Sequence, residues 1–323
     1  MKKNPKVEMG NQAHREIPGN PSTATSSRRK LNDRSERKSL RLLGETDWDH
    51  WTREGYVVVR RAISTEQAER TAALLWEFEE KDPQDPGTWY TPPRSQMQMK
   101  ELVGTGMVEV YNHQLLWENR QEPRIYDAFV DIWGTEALWV TIDRANLNFP
   151  SRPGFEQKGF IHWDYDPETR PQNVQGVLAL SDQTDEQMGG FQCIPWLYRH
   201  YDDWKKTQPE GRDPFQPDIT GLEDKLVKVK LEAGDLLIFN SLLPHGIRPN
   251  RSENKVRIAQ YISMMPAEPE NEALRQWRIH SWKHRVAPEG YAFPGDPRNW
   301  EQTRYGRARL SALGKKLLGL DPW

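Results

Sequence analysis

The sequence predicts a mainly β domain, a sandwich or jelly roll with helices flanking it, and three observations carry that prediction. From residue 137 onward, apolar and branched residues fall into short runs at 137–148, 158–164, 173–181, 190–194, 226–231, 235–239 and 256–264, each bounded by turn residues. That spacing is the signature of a strand-rich domain. The chain also carries 14 Trp and 24 Pro, an aromatic and turn load that disfavours a helical bundle. Helix-like patterns are confined to the stretches before and after the β region.

Taken in order, residues 1–44 are rich in Lys, Arg, Ser, Asn and Pro and poor in large apolar residues. They read as a disordered basic tail that cannot bury enough surface to order, with a basic run from Arg28 to Arg41. A single domain is expected over 45–323. Its first strand is Tyr56 to Arg60, and Ser64-Thr65-Glu66-Gln67 is a capping box opening a helix with apolar positions at Ala68, Ala72, Leu75 and Phe78. A second helix is expected from Arg124 to Trp133, closed by Gly134. The polar stretch 197–222, with Pro209, Gly211, Pro214 and Pro217, reads as a lid or surface loop. Residues from about 267 to 323 return to a helical and irregular pattern.

Bulk properties narrow the function classes. A net charge of -2 over 323 residues gives no global field pointing to nucleic acid or membrane. No apolar run approaches bilayer length, and the first residues lack the apolar core of a signal peptide. Cys193 is the single cysteine, so neither a disulfide framework nor a thiolate cluster can form within one chain. These features suit a soluble cytoplasmic protein acting on a small molecule, with no nucleic-acid or membrane partner.

The chemistry centres on Gly159-Phe160-Ile161-His162-Trp163-Asp164-Tyr165-Asp166. In a strand, side chains alternate faces, so His162 and Asp164 project from one side and Trp163 from the other. With one more imidazole they form a 2-His-1-carboxylate triad, which holds Fe(II) and leaves open positions. A His-x-Asp pair alone is weak evidence, and the other histidines lie in tail, helical or polar contexts. His245 differs, because it follows the buried-strand run Gly234-Asp235-Leu236-Leu237-Ile238-Phe239 on a Pro-His-Gly corner. Asp166 shares the face of Asp164, but the carboxylate nearer His162 gives the tighter arrangement. Arg257 begins the apolar run Val256 to Ile262, where a cation is costly unless paired with an anion. Its planar fork suits the distal carboxylate of a 2-oxoacid, the two-electron donor that such an iron site requires. Asn146 and Asn148, on the preceding strand, are further candidates to contact cosubstrate or substrate.

These pieces together resemble the phytanoyl-CoA dioxygenase (PhyH-like) family of Fe(II)/2-oxoglutarate-dependent oxygenases. The resemblance runs from about Trp48 to Pro266. It rests on Trp51-Thr52-Arg53-Glu54-Gly55-Tyr56-Val57-Val58-Val59, His162-Trp163-Asp164, Val177 to Asp182, Met188 to Pro195, Gly234 to Phe239 with His245, and Arg257. It implies a double-stranded β-helix, a cupin-like jelly roll, with His162, Asp164 and His245 as iron ligands and Arg257 on the C5 carboxylate of 2-oxoglutarate. The implied reaction consumes O₂ and 2-oxoglutarate, hydroxylates a small-molecule metabolite and releases succinate and CO₂. A carboxylate at position 164 argues for hydroxylation over halogenation. The chain departs from the family pattern at Pro195-Trp196-Leu197-Tyr198-Arg199-His200, which leaves the substrate open. The same machinery could serve desaturation, cyclisation or demethylation; a non-catalytic jelly-roll binding protein and a nucleic-acid protein acting through its basic arm are the rivals from other classes.

Overall fold

In a computed structural model, residues 27–35, 39–92, 95, 99–156, 159–288 and 293–323 are described. Helix α1 (Glu45–Glu54) leads into strand β1 (Tyr56–Val59), and α2 (Thr65–Phe78) follows. The side chain of Ser64 accepts from the Gln67 amide and caps α2, as its sequence predicts. Then come α3 (Lys100–Thr105), β2 (Met107–Val108), α4 (Gln114–Arg120) and α5 (Pro123–Trp133), the last closed by Gly134 in the left-handed conformation. The β region comprises β3 (Leu138–Val140), β4 (Ala145–Asn148), β5 (Val174–Ala179) and β6 (Gly190–Cys193). After α6 (Pro195–Lys205) it continues with β7 (Val227–Lys228), β8 (Leu236–Asn240), β9 (His245–Arg248), β10 (Arg257–Tyr261) and β11 (Met264–Pro266). Helices α7 (Glu272–His284), α8 (Trp300–Thr303) and α9 (Ala312–Leu318) complete the chain. No helix among the described residues is long and apolar enough to cross a membrane.

Two antiparallel sheets face each other across the interior. The larger has the order β1-β8-β5-β10-β4-β2, and the smaller β7-β6-β9. Non-sequential neighbours in both are the crossovers of a jelly roll. Val177, Ala179, Leu237, Phe239 and Ala259 of the large sheet meet Phe191 and Cys193 of the small one in a shared apolar cluster. The opposite face of the large sheet carries the main core with α2, α4 and α5, including the fully buried Leu75, Phe78, Trp117, Phe129 and Trp133. Burying such aromatics contributes on the order of 2–3 kcal/mol each. The inward period-two positions are therefore apolar by default, and the polar exceptions among them mark the site.

Two expectations are corrected. The tail was expected to be disordered through residue 44, yet its described residues, 27–35 and 39–44, strap across the end of α5. Arg29 donates to the carbonyls of Trp133 (2.8 Å) and Gly134 (3.1 Å), where a cation also meets the negative end of the helix dipole. The backbone amides of Arg41, Leu42 and Leu43 all donate to the Asp131 carboxylate, at 2.7–2.9 Å. Composition measures buriable apolar area and is blind to this kind of attachment. Residues 1–26 and 36–38 lie outside the described set. The second correction concerns 197–222. Its first part belongs to α6, whose Leu197, Tyr201 and Trp204 are buried with Trp163 and Ile194. Those positions recur at a spacing of three to four, a helical stripe hidden by the polar residues between them. Within the described residues 159–164 of the expected strand run, pairing is sparser than expected, a single bridge between His162 and His245.

A buried carboxyl gives a stability test. Glu79, directly after α2, is fully buried, neither of its oxygens has a hydrogen-bond partner among the described residues, and burial pushes its pKa up to about 8. Its unfolded value is near 4.5, so between pH 4.5 and 8 the unfolded chain releases a proton that the folded chain retains. Stability from this group is full below pH 4.5 and is lost as pH rises through 8. Glu79→Gln is therefore expected to gain on the order of 2 kcal/mol at pH 8 and nothing at pH 4. Urea melts across that range check this, and parallel pH profiles for the two proteins would refute it.

Candidate metal centre

The extended segment carrying His162 lies along β9. The His162 amide donates to the His245 carbonyl at 2.8 Å, and the His245 amide to the His162 carbonyl at 3.0 Å. This reciprocal pair sets the two imidazoles side by side, with ring centroids 4.7 Å apart. Alternation then brings Asp164 to the same face. Its Oδ1 lies 3.0 Å from His162 Nε2 and its Oδ2 3.3 Å from His245 Nε2. Ligating atoms of His162, Asp164 and His245 all lie within 4.8 Å of one another, the one such cluster among the described residues. Trp163, between His162 and Asp164, points the other way, 1% exposed, its indole donating to the Leu242 carbonyl at 2.9 Å and packing against α6. Core packing is its role, as alternation predicts.

The two imidazoles are held differently. His245 is buried between Phe191, stacked at 5.7 Å, and Phe239 at 4.3 Å. Its Nδ1 meets the Leu243 carbonyl at 3.0 Å. A carbonyl only accepts, so Nδ1 carries a proton, and Nε2 is the nitrogen that faces Asp164. His162 Nδ1 is buried with no hydrogen-bond partner among the described residues. Burial alone would raise the Asp164 pKa, but hydrogen bonds from the two imidazoles hold it well below the usual carboxylate range. For His162, burial would lower the value, and the bond to Asp164 outweighs it, so the value is raised. Two imidazoles and one carboxylate therefore form a polarised cluster, and the Asp164 side chain is 35% exposed at the open side.

Arg257 enters the same interior from β10, two residues before Ala259, and is 1% exposed. It donates through Nη1 to Asn146 Oδ1 at 2.9 Å and through Nε to Gln183 Oε1 at 3.2 Å. Among the described residues no carboxylate forms an ion pair with it. A buried guanidinium with neutral partners keeps its charge for an anionic ligand. Asn146, expected to contact the cosubstrate, has its carbonyl on Arg257 and its amide on the Thr105 carbonyl at 3.1 Å. Its described bonds orient Arg257. Asp166 is spent elsewhere, capping a short 3₁₀ turn through the Glu168 amide at 2.9 Å.

Sequence reasoning passed over three polar residues here. Gln175 interrupts the apolar run of β5 at an inward position, opposite Phe239, and donates its side-chain amide to Asp164 Oδ2. Gln183 holds Arg257, as described. Arg248, 3% exposed, donates to the Gly189 carbonyl at 2.7 Å and so braces the turn entering β6. A polar residue at an inward period-two position of an apolar strand is the signal that could have found Gln175.

The family model described as phytanoyl-CoA dioxygenase (PhyH) matches residues 51–259. Ava biosynthesis cluster protein O of Aspergillus versicolor is 25% identical over 261 residues, covering 74% of this chain and 83% of that protein. Among solved structures, GlcNAc Inducible Gene 2 (GIG2) of Candida albicans aligns with a TM-score of 0.63 at 14% identity, over 87% of this chain and 77% of that one. Protein JW0805 of Escherichia coli aligns with a TM-score of 0.63 at 18% identity, over 86% and 82%. At these identities the structural likenesses show a shared fold.

Proposed function

The chain belongs to the phytanoyl-CoA dioxygenase family, non-haem Fe(II)/2-oxoglutarate-dependent dioxygenases, and from that premise we propose that it hydroxylates a small-molecule metabolite of a biosynthetic pathway, with His162, Asp164 and His245 as the iron ligands. The observation that carries this is the convergence of two imidazoles and one carboxylate at the interior of the barrel. The donor set fits a divalent iron: three protein ligands on one side, a net charge of -1 against +2, and a His245 whose tautomer presents Nε2. When bound, iron with 2-oxoglutarate and O₂ supplies the oxidation, in which decarboxylation to succinate and CO₂ provides two electrons and the substrate C–H bond provides the other two.

The chain's own residues do the rest. Arg257, held by Asn146 and Gln183, takes the distal carboxylate of 2-oxoglutarate as a preorganised, charge-assisted donor. Phe191 and Phe239 fix His245 and keep water from its far side. The name of the Aspergillus versicolor relative places that protein in a biosynthesis cluster, which supports a specialised metabolite as substrate.

Anaerobic titration with Fe(II) and then 2-oxoglutarate tests the proposal, read by the weak visible charge-transfer band of the chelate. The band is expected in the wild type and absent in His245→Ala; its absence from the wild type would remove the reading. In Arg257→Gln the same titration is expected to show Fe(II) binding unchanged and 2-oxoglutarate weakened about 10–100-fold, the loss of a charge-assisted pair. Equal 2-oxoglutarate affinity in the two proteins would free Arg257 from that role.

A further inference from the structure

We propose that Gln175 is the positioning residue that aims Asp164, fixing which carboxylate oxygen is left for the metal ion; this rests on the reading that His162, Asp164 and His245 hold iron. Gln175 is the second residue of β5, paired with Phe239 and two residues before Val177, so its side chain enters the barrel. Its amide nitrogen donates to Asp164 Oδ2. A carboxylate only accepts, so the NH₂ end must face it.

The contacts on Asp164 differ in what becomes of them when an ion binds. His162 Nε2 and His245 Nε2 now lie against the carboxylate, but each imidazole must offer that nitrogen's lone pair to the ion and cannot then donate from it. Gln175 has no such conflict. Once the ion is in place it is the one described side chain still donating to Asp164. A carboxylate without such a donor is free to turn, or to engage the ion with both oxygens and close a position that cosubstrate or O₂ requires. A donor held on Oδ2 from the opposite sheet prevents both and reserves Oδ1. The amide is neutral, so Asp164 keeps its full charge for the ion. A glutamine with a merely structural part in β5 would leave the metal's affinity and spectrum untouched.

The test compares wild type, Gln175→Leu and Gln175→Met, the second variant guarding against a folding defect in the first. Three quantities are measured: the melting temperature without metal, the Fe(II) Kd by anaerobic dialysis, and the 2-oxoglutarate titration followed by its visible band. The expected result is an unchanged melting temperature, an Fe(II) Kd raised about 10–100-fold, and a shifted or weakened band. Wild-type Fe(II) affinity and band in either folded variant overturn the proposal, as does a loss of affinity that merely tracks a lowered melting temperature. A wild type that binds no Fe(II) instead overturns the metal-centre reading beneath it.

Discussion

Asp164→Ala is expected to reduce 2-oxoglutarate-dependent succinate release by more than about a hundredfold, to the background of free iron. Removing a partner that merely orients a ligand commonly costs 10–100-fold, so removing the ligand itself should exceed that range. The substitution takes away the one anionic donor, and the cluster's net charge goes from -1 to zero. It also strips both imidazoles of the carboxylate that now lies 3.0 and 3.3 Å from their Nε2 atoms. Asp166→Ala is the control. Asp166 lies two residues along but caps a 3₁₀ turn, so its loss should cost about 1 kcal/mol of stability and leave turnover intact. Succinate release after anaerobic reconstitution measures both. More than a tenth of wild-type turnover in Asp164→Ala, or a loss as large in Asp166→Ala, would reassign the carboxylate ligand.

Gly246→Ala is expected to have the next largest effect, although residue 246 has no side chain to offer a metal. A Cβ at Gly246 would lie 1.8 Å from the Phe160 carbonyl oxygen and 2.7 Å from its carbon. These are backbone atoms, which cannot swing aside as a side-chain tip could. The segment bearing His162 would have to retreat from β9 by more than 1 Å, and the bonds His162 makes with His245 would break. The ligands would then separate while both sheets stay paired. The expected outcome is a folded protein less stable by about 1–3 kcal/mol, with Fe(II) affinity reduced at least tenfold. Wild-type iron affinity in this variant would mean that the approach of the two segments is not what assembles the site.

Much of the site was legible in the chain. His162 and Asp164 could be paired because strand alternation is a local rule and they are two residues apart. His245 stood out by its corner after a buried strand, and Arg257 by being a cation in an apolar run. Gln175 and Gln183 were not legible, because a glutamine in a strand carries no charge that demands explanation, and its partner lies on another element. Asn146 was expected to contact the cosubstrate, whereas its bonds to Arg257 and Thr105 could be read only from packing. The strap of residues 27–35 and 39–44 was missed for a related reason. It is held by hydrogen bonds to the C-terminal end of α5, not by an apolar face that would show in its composition.

By itself, then, the sequence determined the class of fold, the order of most strands and helices, and the family, and it singled out the three side chains that the fold gathers into one cluster. Each follows from local periodicity, residue chemistry or motif order, which persist in an unfolded chain. Only the tertiary structure decided that His162 and His245 lie across one pair of reciprocal hydrogen bonds, that Gln175 faces Asp164, and that α6 backs the site where a lid was expected. Those facts depend on which elements become neighbours, and that is set by the burial of two sheet faces against each other across the whole barrel.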